Sequence, residues 1–438
     1  MVLAISLALL VWVLLISYVR NGTLMSINVV FSAMWCICLA LSTLGLYGIY
    51  RPSDTVYIMS FSAIVVFNLV YFAGSRSIHN TLLRRGVSRS VKPMLVDGDI
   101  RFGLLYALNL GAYAYSLPFM PKAIAILKSY GFAGLRQFAF AQSSAMATTH
   151  QLLVFQWIVE PIFTVTTLVT ALLFTQRRGT TVLTLITLID LCLYSALFGG
   201  RYALMRALMY FIFAALIVNQ GRFLQTVKRY RALVLVIVVL VAGLVVVTGQ
   251  RSIAGKGFFG NVIVYYTGSF TYLSKTLETR PWDGHLLLGA GTFGFITNFM
   301  WIAAKMLFGV NYAGSDYIVT QITQYYMRIA DTVAYNALTT MLFPFIMDFG
   351  YVGVVVGTAA FAWAAARTES FFYRRQTIFS LGLYVLLLFA CFDSVLQYEF
   401  LFPSTAVTLL LLLLFTYRWQ PSKKHVTQVL AWNTRTSG

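Results

Sequence analysis

Apolar runs of about twenty residues, split by short polar or basic loops, dominate the chain. A run of that length is what an α-helix needs to cross a bilayer core of about 30 Å. The pattern predicts eleven spans, over residues 2–19, 27–50, 54–74, 102–120, 151–175, 180–198, 202–219, 232–248, 345–366, 377–392 and 403–417. One long interval breaks it. Residues 249–344 contain no twenty-residue apolar run free of charge, yet they are rich in tyrosine and in basic side chains. The expected organisation is therefore eight spans within 1–248, a large outer loop over 249–344, three spans within 345–417, and a basic tail over 418–438.

Within the large loop, His285–Val310 is apolar enough to form a twelfth span. An interfacial or re-entrant helix packed on protein is the reading adopted. The glycines Gly350, Gly353 and Gly357 at the mouth of the next span form a small-residue series that predicts close helix packing.

Composition fixes the class. Hydrophobic residues make up 59% of the chain and charged ones 10%, against about 25% charged in a soluble domain. The expected fold class is an all-α polytopic membrane protein, since a barrel would show weak alternating segments of about ten residues instead. The formal net charge of +19 is placed mainly by the positive-inside rule. Arg76, Arg84, Arg85, Arg89 and Lys92 fill one loop, Arg177 and Arg178 a second, and Arg222, Lys228, Arg229 and Arg231 a third. The intervening segments 51–54 and 392–404 carry Arg51 alone and no basic residue. That contrast predicts an outer N-terminus and a cytoplasmic C-terminus. No basic stretch precedes residues 2–19, and Arg20 follows them, which favours a retained first span over a cleaved leader.

Metal chemistry is not expected. Cys36, Cys38, Cys192 and Cys391 all lie in apolar spans and read as small core residues, while His79, His150, His285 and His425 are scattered. No cofactor is expected either.

Basic residues at the outer face are what the positive-inside rule leaves over. Arg201 follows Gly199-Gly200, which allows a tight turn between two spans. Arg206 lies about 7.5 Å further along the helix axis. A charge at that depth costs about 2.5–3.5 kcal/mol on insertion scales, so it needs a partner or a cavity. Asp190 on the preceding span is the expected partner. Glu160, followed by Pro161, is a second intramembrane carboxylate, suited either to proton coupling or to pairing with an outer arginine. Arg201 and Arg251 are candidates for holding phosphate oxygens, because a guanidinium fork matches them and keeps its charge. Asp331, His285 and Glu399 are the candidate general bases, and no spacing selects among them. Asp348, just before Phe349-Gly350, is expected to cap or orient a helix end. Outer tyrosines, Tyr335 among them, suit an interfacial belt or a stacking surface for sugar rings.

The order of these pieces resembles the Wzy-type oligosaccharide repeat unit polymerases of O-antigen and capsule synthesis. The likeness rests on GGR at Gly199–Arg201, on Tyr265–Gly268 leading to GAGTFGF at Gly289–Phe295, on Asn336 a dozen residues before DFG at Asp348–Gly350, and on GYVGVVVG after it. It spans the chain from about residue 180 onward. It implies a GT-C-like, metal- and nucleotide-independent glycosyltransferase in a bacterial inner membrane. Such an enzyme joins undecaprenyl-pyrophosphate-linked repeat units at the periplasmic face and releases lipid pyrophosphate. The resemblance also implies a Wzz-type chain-length co-polymerase as partner, and no nucleic acid. Arg201 and Arg251, then Arg328, would hold pyrophosphate, with Arg206, Lys256, Arg280, Tyr335 and Asn336 completing the candidate substrate-binding set. An O-antigen ligase and a lipid-linked oligosaccharide flippase or transporter are the competing readings.

Overall fold

The computed structural model describes residues 1–21, 26–84, 100–140, 147–176, 181–218, 231–249, 257–279, 285–309, 313–336 and 338–417. Most of the basic loops and the tail lie outside this set, as do Arg251, Lys256 and Arg280.

Nearly all of the described chain is helical. The first half comprises α1 (Val2–Asn21), α2 (Ile27–Ser42), α3 (Asp54–Arg84), α4 (Phe102–Ser116), α5 (Met120–Phe140), α6 (Thr149–Val154), α7 (Glu160–Phe174), α8 (Thr181–Phe198), α9 (Tyr202–Val218) and α10 (Arg231–Gly249). The second half adds α11 (Gly257–Glu278), α12 (Gly294–Phe308), α13 (Ser315–Thr323), α14 (Leu342–Phe349), α15 (Tyr351–Arg375), α16 (Ile378–Asp393) and α17 (Pro403–Thr416). Four helical stretches are long and apolar enough to cross a membrane: Val2–Arg20, Asp54–Ser75, His150–Phe174 and Thr181–Phe198. Shorter apolar helices include Ile27–Ser42, Tyr202–Val218, Ile378–Asp393 and Pro403–Thr416. This is an all-α membrane-protein architecture with one departure. A small antiparallel hairpin, β1 (Met327–Ala330) and β2 (Val333–Tyr335), interrupts the segment after α13.

Two kinds of packing hold the bundle. Large aromatic rings fill the centre: Phe31 of α2 stacks on Phe67 of α3 at 3.9 Å, and Phe361 of α15 meets both edge-on. Polar pairs then fix the register of helices whose surfaces are otherwise uniformly apolar. Asn28 Nδ2 donates to Ser17 Oγ at 2.8 Å and to Asn68 Oδ1 at 3.2 Å, and Asn68 Nδ2 donates to Ser32 Oγ at 2.8 Å, joining α1, α2 and α3. Three of the cysteines are buried as expected, but Cys192 is exposed on the surface of α8.

The span expected at 345–366 is broken. Gly350 has φ +60 and ψ −147, a conformation essentially limited to glycine. It ends the fully buried α14 and starts α15 at a new angle. The small-residue series packs against this half-helix. A Cβ on Gly353 would fall 1.8 Å from the Phe345 carbonyl oxygen, and one on Gly357 2.3 Å from the Phe345 ring.

Asp348 explains the other glycine motif. Its carboxylate accepts the N–H groups of Gly291 and Thr292, each at 2.7 Å, as well as the Thr292 hydroxyl. The GAGTFGF and DFG segments are thus two sides of one buried contact, and Asp348 orients the entry to α12. Gly291 and Gly294 are needed for close approach, since a Cβ on either would lie within 2.7 Å of the Pro344 or Leu401 carbonyl oxygen. The apolar segment 285–310 folds as a turn followed by the 15-residue α12, about 22 Å long and packed beside α17 and α13.

Candidate active site

The half-helix and the glycine contact both lead to the segment between α16 and α17. Met341 N donates to Ser394 O at 2.8 Å and Thr340 N to Leu396 O at 3.1 Å, so the start of α14 fastens residues 394–396. From α2, Trp35 Nε1 donates to Ser394 Oγ at 2.8 Å. Beyond them the Tyr398 hydroxyl donates to Thr292 O at 2.9 Å, and Asn298 Nδ2 of α12 donates to Leu401 O at 2.8 Å. These anchors hold three polar side chains, Asp393, Gln397 and Glu399, in a fixed arrangement facing α9.

On α9 they meet Tyr202 and Arg206. The Tyr202 oxygen lies 2.7 Å from Asp393 Oδ2 and also contacts Glu399 Oε1. Gln397 Nε2 donates to the same tyrosine oxygen at 2.7 Å and to Glu399 Oε1 at 2.9 Å. One turn further along, the Arg206 guanidinium stands 4.6 Å above the Tyr202 ring.

Arg206 pairs with α7, and here the expectation of an Asp190 partner is corrected. Arg206 Nη2 lies 3.3 Å from Glu160 Oε1, and Nη1 donates to Thr164 Oγ1 at 2.7 Å. Asp190 instead accepts the Tyr113 hydroxyl at 2.6 Å. Local backbone chemistry places Glu160. Pro161 has no N–H to give the carbonyl four residues before it, and the helix widens into a π-turn over Phe155–Val159, with Glu160 N–H bonded to Phe155 O. Such turns reorient side chains within otherwise regular helices and recur at functional sites.

Glu160, Arg206 and Glu399 line one cavity of about 540 Å³, part of it open to the surroundings. Its walls come from α7 (Pro161, Thr164), α16 (Leu386, Phe389) and α17 (Ser404, Thr405, Thr408). A smaller space of about 290 Å³ lies on the other face of Arg206, lined by Glu160, Thr164, Thr167, Asp190 and Tyr194. The first cavity offers a fixed cation, a carboxylate within its field, hydroxyl donors and apolar walls. In a place poor in water, such charges act more strongly than they would in solvent.

The other expected residues fall into separate places. Arg201 is half-buried at the start of α9, with its guanidinium 3.9 Å over the Tyr265 ring and Nη1 donating to Thr248 Oγ1 at 3.4 Å. The turn before it matches expectation: Gly199 has φ +54, and a Cβ on Gly200 would strike the Tyr194 ring at 2.6 Å. Tyr335 is buried and supports that stacking surface, its hydroxyl donating to Tyr265 O at 2.9 Å. Asn336 Nδ2 donates to Gln324 O at 3.3 Å. Arg328 and Asp331 sit exposed on the β-hairpin, where Asp331 accepts the Tyr50 hydroxyl at 2.6 Å. His285 is exposed at the start of the segment leading to the glycine contact.

Of the three candidate bases, then, Glu399 is the one that lines the cavity with Arg206. Tyr202, Gln397 and Thr164 escaped the sequence reading. Only Tyr202 left a signal, as the aromatic neighbour of Arg201 on the same arginine-bearing helix. No family model matches the chain, and no curated protein or solved structure matches it.

Proposed function

We propose that the protein is a glycosyltransferase that polymerises lipid-linked oligosaccharides. It would join undecaprenyl-pyrophosphate-linked repeat units at the periplasmic face of a bacterial inner membrane and release the lipid pyrophosphate. The observation that supports this reading best is the placing of Glu399 and Arg206 in one cavity bordered by apolar helices. Transfer of the growing chain to a hydroxyl of the incoming unit needs a base for the hydroxyl proton. It also needs cations where negative charge develops on the departing pyrophosphate. Glu399 takes the first role. Arg206 and Arg201 take the second, with Arg251 beside them by the resemblance. Apolar walls suit a substrate whose carrier is a lipid.

The finer architecture belongs to the same proposal: eleven spans in a GT-C-like arrangement, N-terminus periplasmic and C-terminus cytoplasmic, with a Wzz-type chain-length partner. Substitution of Arg201 or Arg251 by alanine should stop chain growth and leave single repeat units on the acceptor, with the protein still folded in the membrane. Normal polymer from both variants overturns the phosphate assignment.

A flippase for the same lipid-linked units is the second reading. Asp190 favours it, as a buried carboxylate on the smaller cavity beside Glu160 and Arg206. Translocation without formation of a glycosidic bond would decide for it.

A further inference from the structure

The contacts around Tyr202 contain too few hydrogens if both neighbouring carboxyl groups are ionised. Tyr202 has a single hydroxyl hydrogen, yet its oxygen touches both Asp393 Oδ2 and Glu399 Oε1. The two N–H groups of Gln397 go to the tyrosine oxygen and to Glu399, so they supply nothing between tyrosine and Asp393. With both carboxylates charged, one carboxylate oxygen would face a phenol lone pair in a buried place. One added proton removes the conflict. The tyrosine oxygen then accepts from Gln397, accepts from one carboxyl group and donates to the other, which fills its hydrogen-bonding capacity.

We propose that Asp393, Tyr202 and Glu399 form a chain that holds one proton, with the proton on Asp393 and the charge on Glu399. Geometry decides between the two ends. Asp393 is fully buried, and its Oδ1 has no hydrogen-bond partner among the described residues. An ionised oxygen without a partner in such a place is strongly disfavoured. Asp393 is also the last residue of α16, where the negative end of the helix dipole opposes a second negative charge. Glu399 is half-buried, lines the cavity and lies in the field of Arg206. The other ionisable groups facing this chain are Glu160 and Tyr210, which share the surroundings of Arg206, and Tyr266 of α11, set between Asp393 and Arg201.

The inference rests on the glycosyltransferase reading and adds positioning residues to it. Protonated Asp393 donates to Tyr202, Tyr202 donates to Glu399 Oε1, and Glu399 is held ionised and aimed at the cavity. In the transfer step the acceptor O–H bond breaks and its proton goes to Glu399. The oxygen electron pair forms the new glycosidic C–O bond. The bond from the donor sugar to pyrophosphate breaks, and its electron pair leaves on the pyrophosphate beside the arginines.

The test pairs a spectrum with turnover, using full-length protein in proteoliposomes supplied with purified lipid-linked repeat units. Infrared difference spectra at neutral pH should contain a protonated-carboxyl band that disappears in Asp393→Asn and persists in Glu399→Gln. Turnover should fall by about 10²–10⁴-fold in Glu399→Gln, the usual loss of a general base. It should stay within about tenfold of wild type in Asp393→Asn, whose amide N–H can still donate to Tyr202. Tyr202→Phe should lower turnover and displace the acid limb of its pH profile. Absence of the band in wild type, or a loss in Asp393→Asn as large as in Glu399→Gln, overturns the proposal while polymerisation by the wild type stands. A band with the predicted behaviour in a protein that forms no polymer supports the shared proton and rejects the polymerase reading.

Discussion

Arg206 reaches across to Glu160 at 3.3 Å, two helices away in sequence, and leaves Asp190 on the adjoining helix to a tyrosine. Both members of the pair are mostly buried, with side-chain exposures of 14% and 20%. Removing one member of such a pair strands the other, at a cost of about 3–5 kcal/mol. Glu160→Leu should therefore lower the unfolding temperature in detergent sharply, while Glu160→Leu with Arg206→Met should recover most of the loss. Asp190→Asn, which keeps an acceptor for Tyr113, should change stability much less. Equal losses in Glu160→Leu and Asp190→Asn would show that Arg206 depends on both carboxylates alike.

Asp348 is expected to matter to stability well before chemistry. Replacement by alanine leaves the N–H groups of Gly291 and Thr292 buried without acceptors, worth about 2–4 kcal/mol. Asp348→Asn keeps one acceptor oxygen and should lose roughly half as much. Limited proteolysis between α11 and α12 is a suitable readout, because the segment freed by the mutation begins at Gly289.

The Phe345 contacts give a paired prediction. Gly357→Ala strikes a side chain and Gly353→Ala strikes a backbone carbonyl. Adding Phe345→Ala should relieve Gly357→Ala in part and leave Gly353→Ala unrelieved. Chemical denaturation of the four variants separates the two cases.

Asp316, near the start of α13, provides a pH dependence in the outer segment. Burial pushes its carboxyl up to about 6, against the pull of the backbone N–H groups of Asp316 and Tyr317. The fold thus prefers the neutral acid. Its contribution is complete below the unfolded value of about 3.9 and is lost as pH rises through about 6. Relative to Asp316→Asn, the wild type should lose about 2–3 kcal/mol over that window and be flat above it. Thermal unfolding from acid to neutral pH measures this; parallel curves for the two proteins would refute it.

The helical class was legible because hydropathy alone dictates it. Glycine motifs were legible as motifs but not as contacts. GAGTFGF and DFG announce close approaches, yet nothing in either announces that Asp348 joins them. The break at Gly350 was hidden because Leu342–Phe349 is as apolar as the helix after it, and a hydropathy run does not reveal a backbone turn inside it. Glu160 and Arg206 stood out as charges in apolar spans. Their pairing was not readable, since chain neighbours such as Asp190 look better placed until the π-turn before Pro161 is taken into account. Tyr202, Asp393, Gln397 and Glu399 come from two ends of the second half of the chain. Only folding brings them together, so their cooperation has no local signature.

The most direct test of the central claim is reconstitution of the purified wild-type protein in vesicles with defined lipid-linked repeat units, without nucleotide, metal or ion gradient. A ladder of oligosaccharides growing by whole repeat units, with release of lipid pyrophosphate in step, is the predicted result. Repeat units that cross the bilayer or remain unchanged, with no new glycosidic bond, would contradict it.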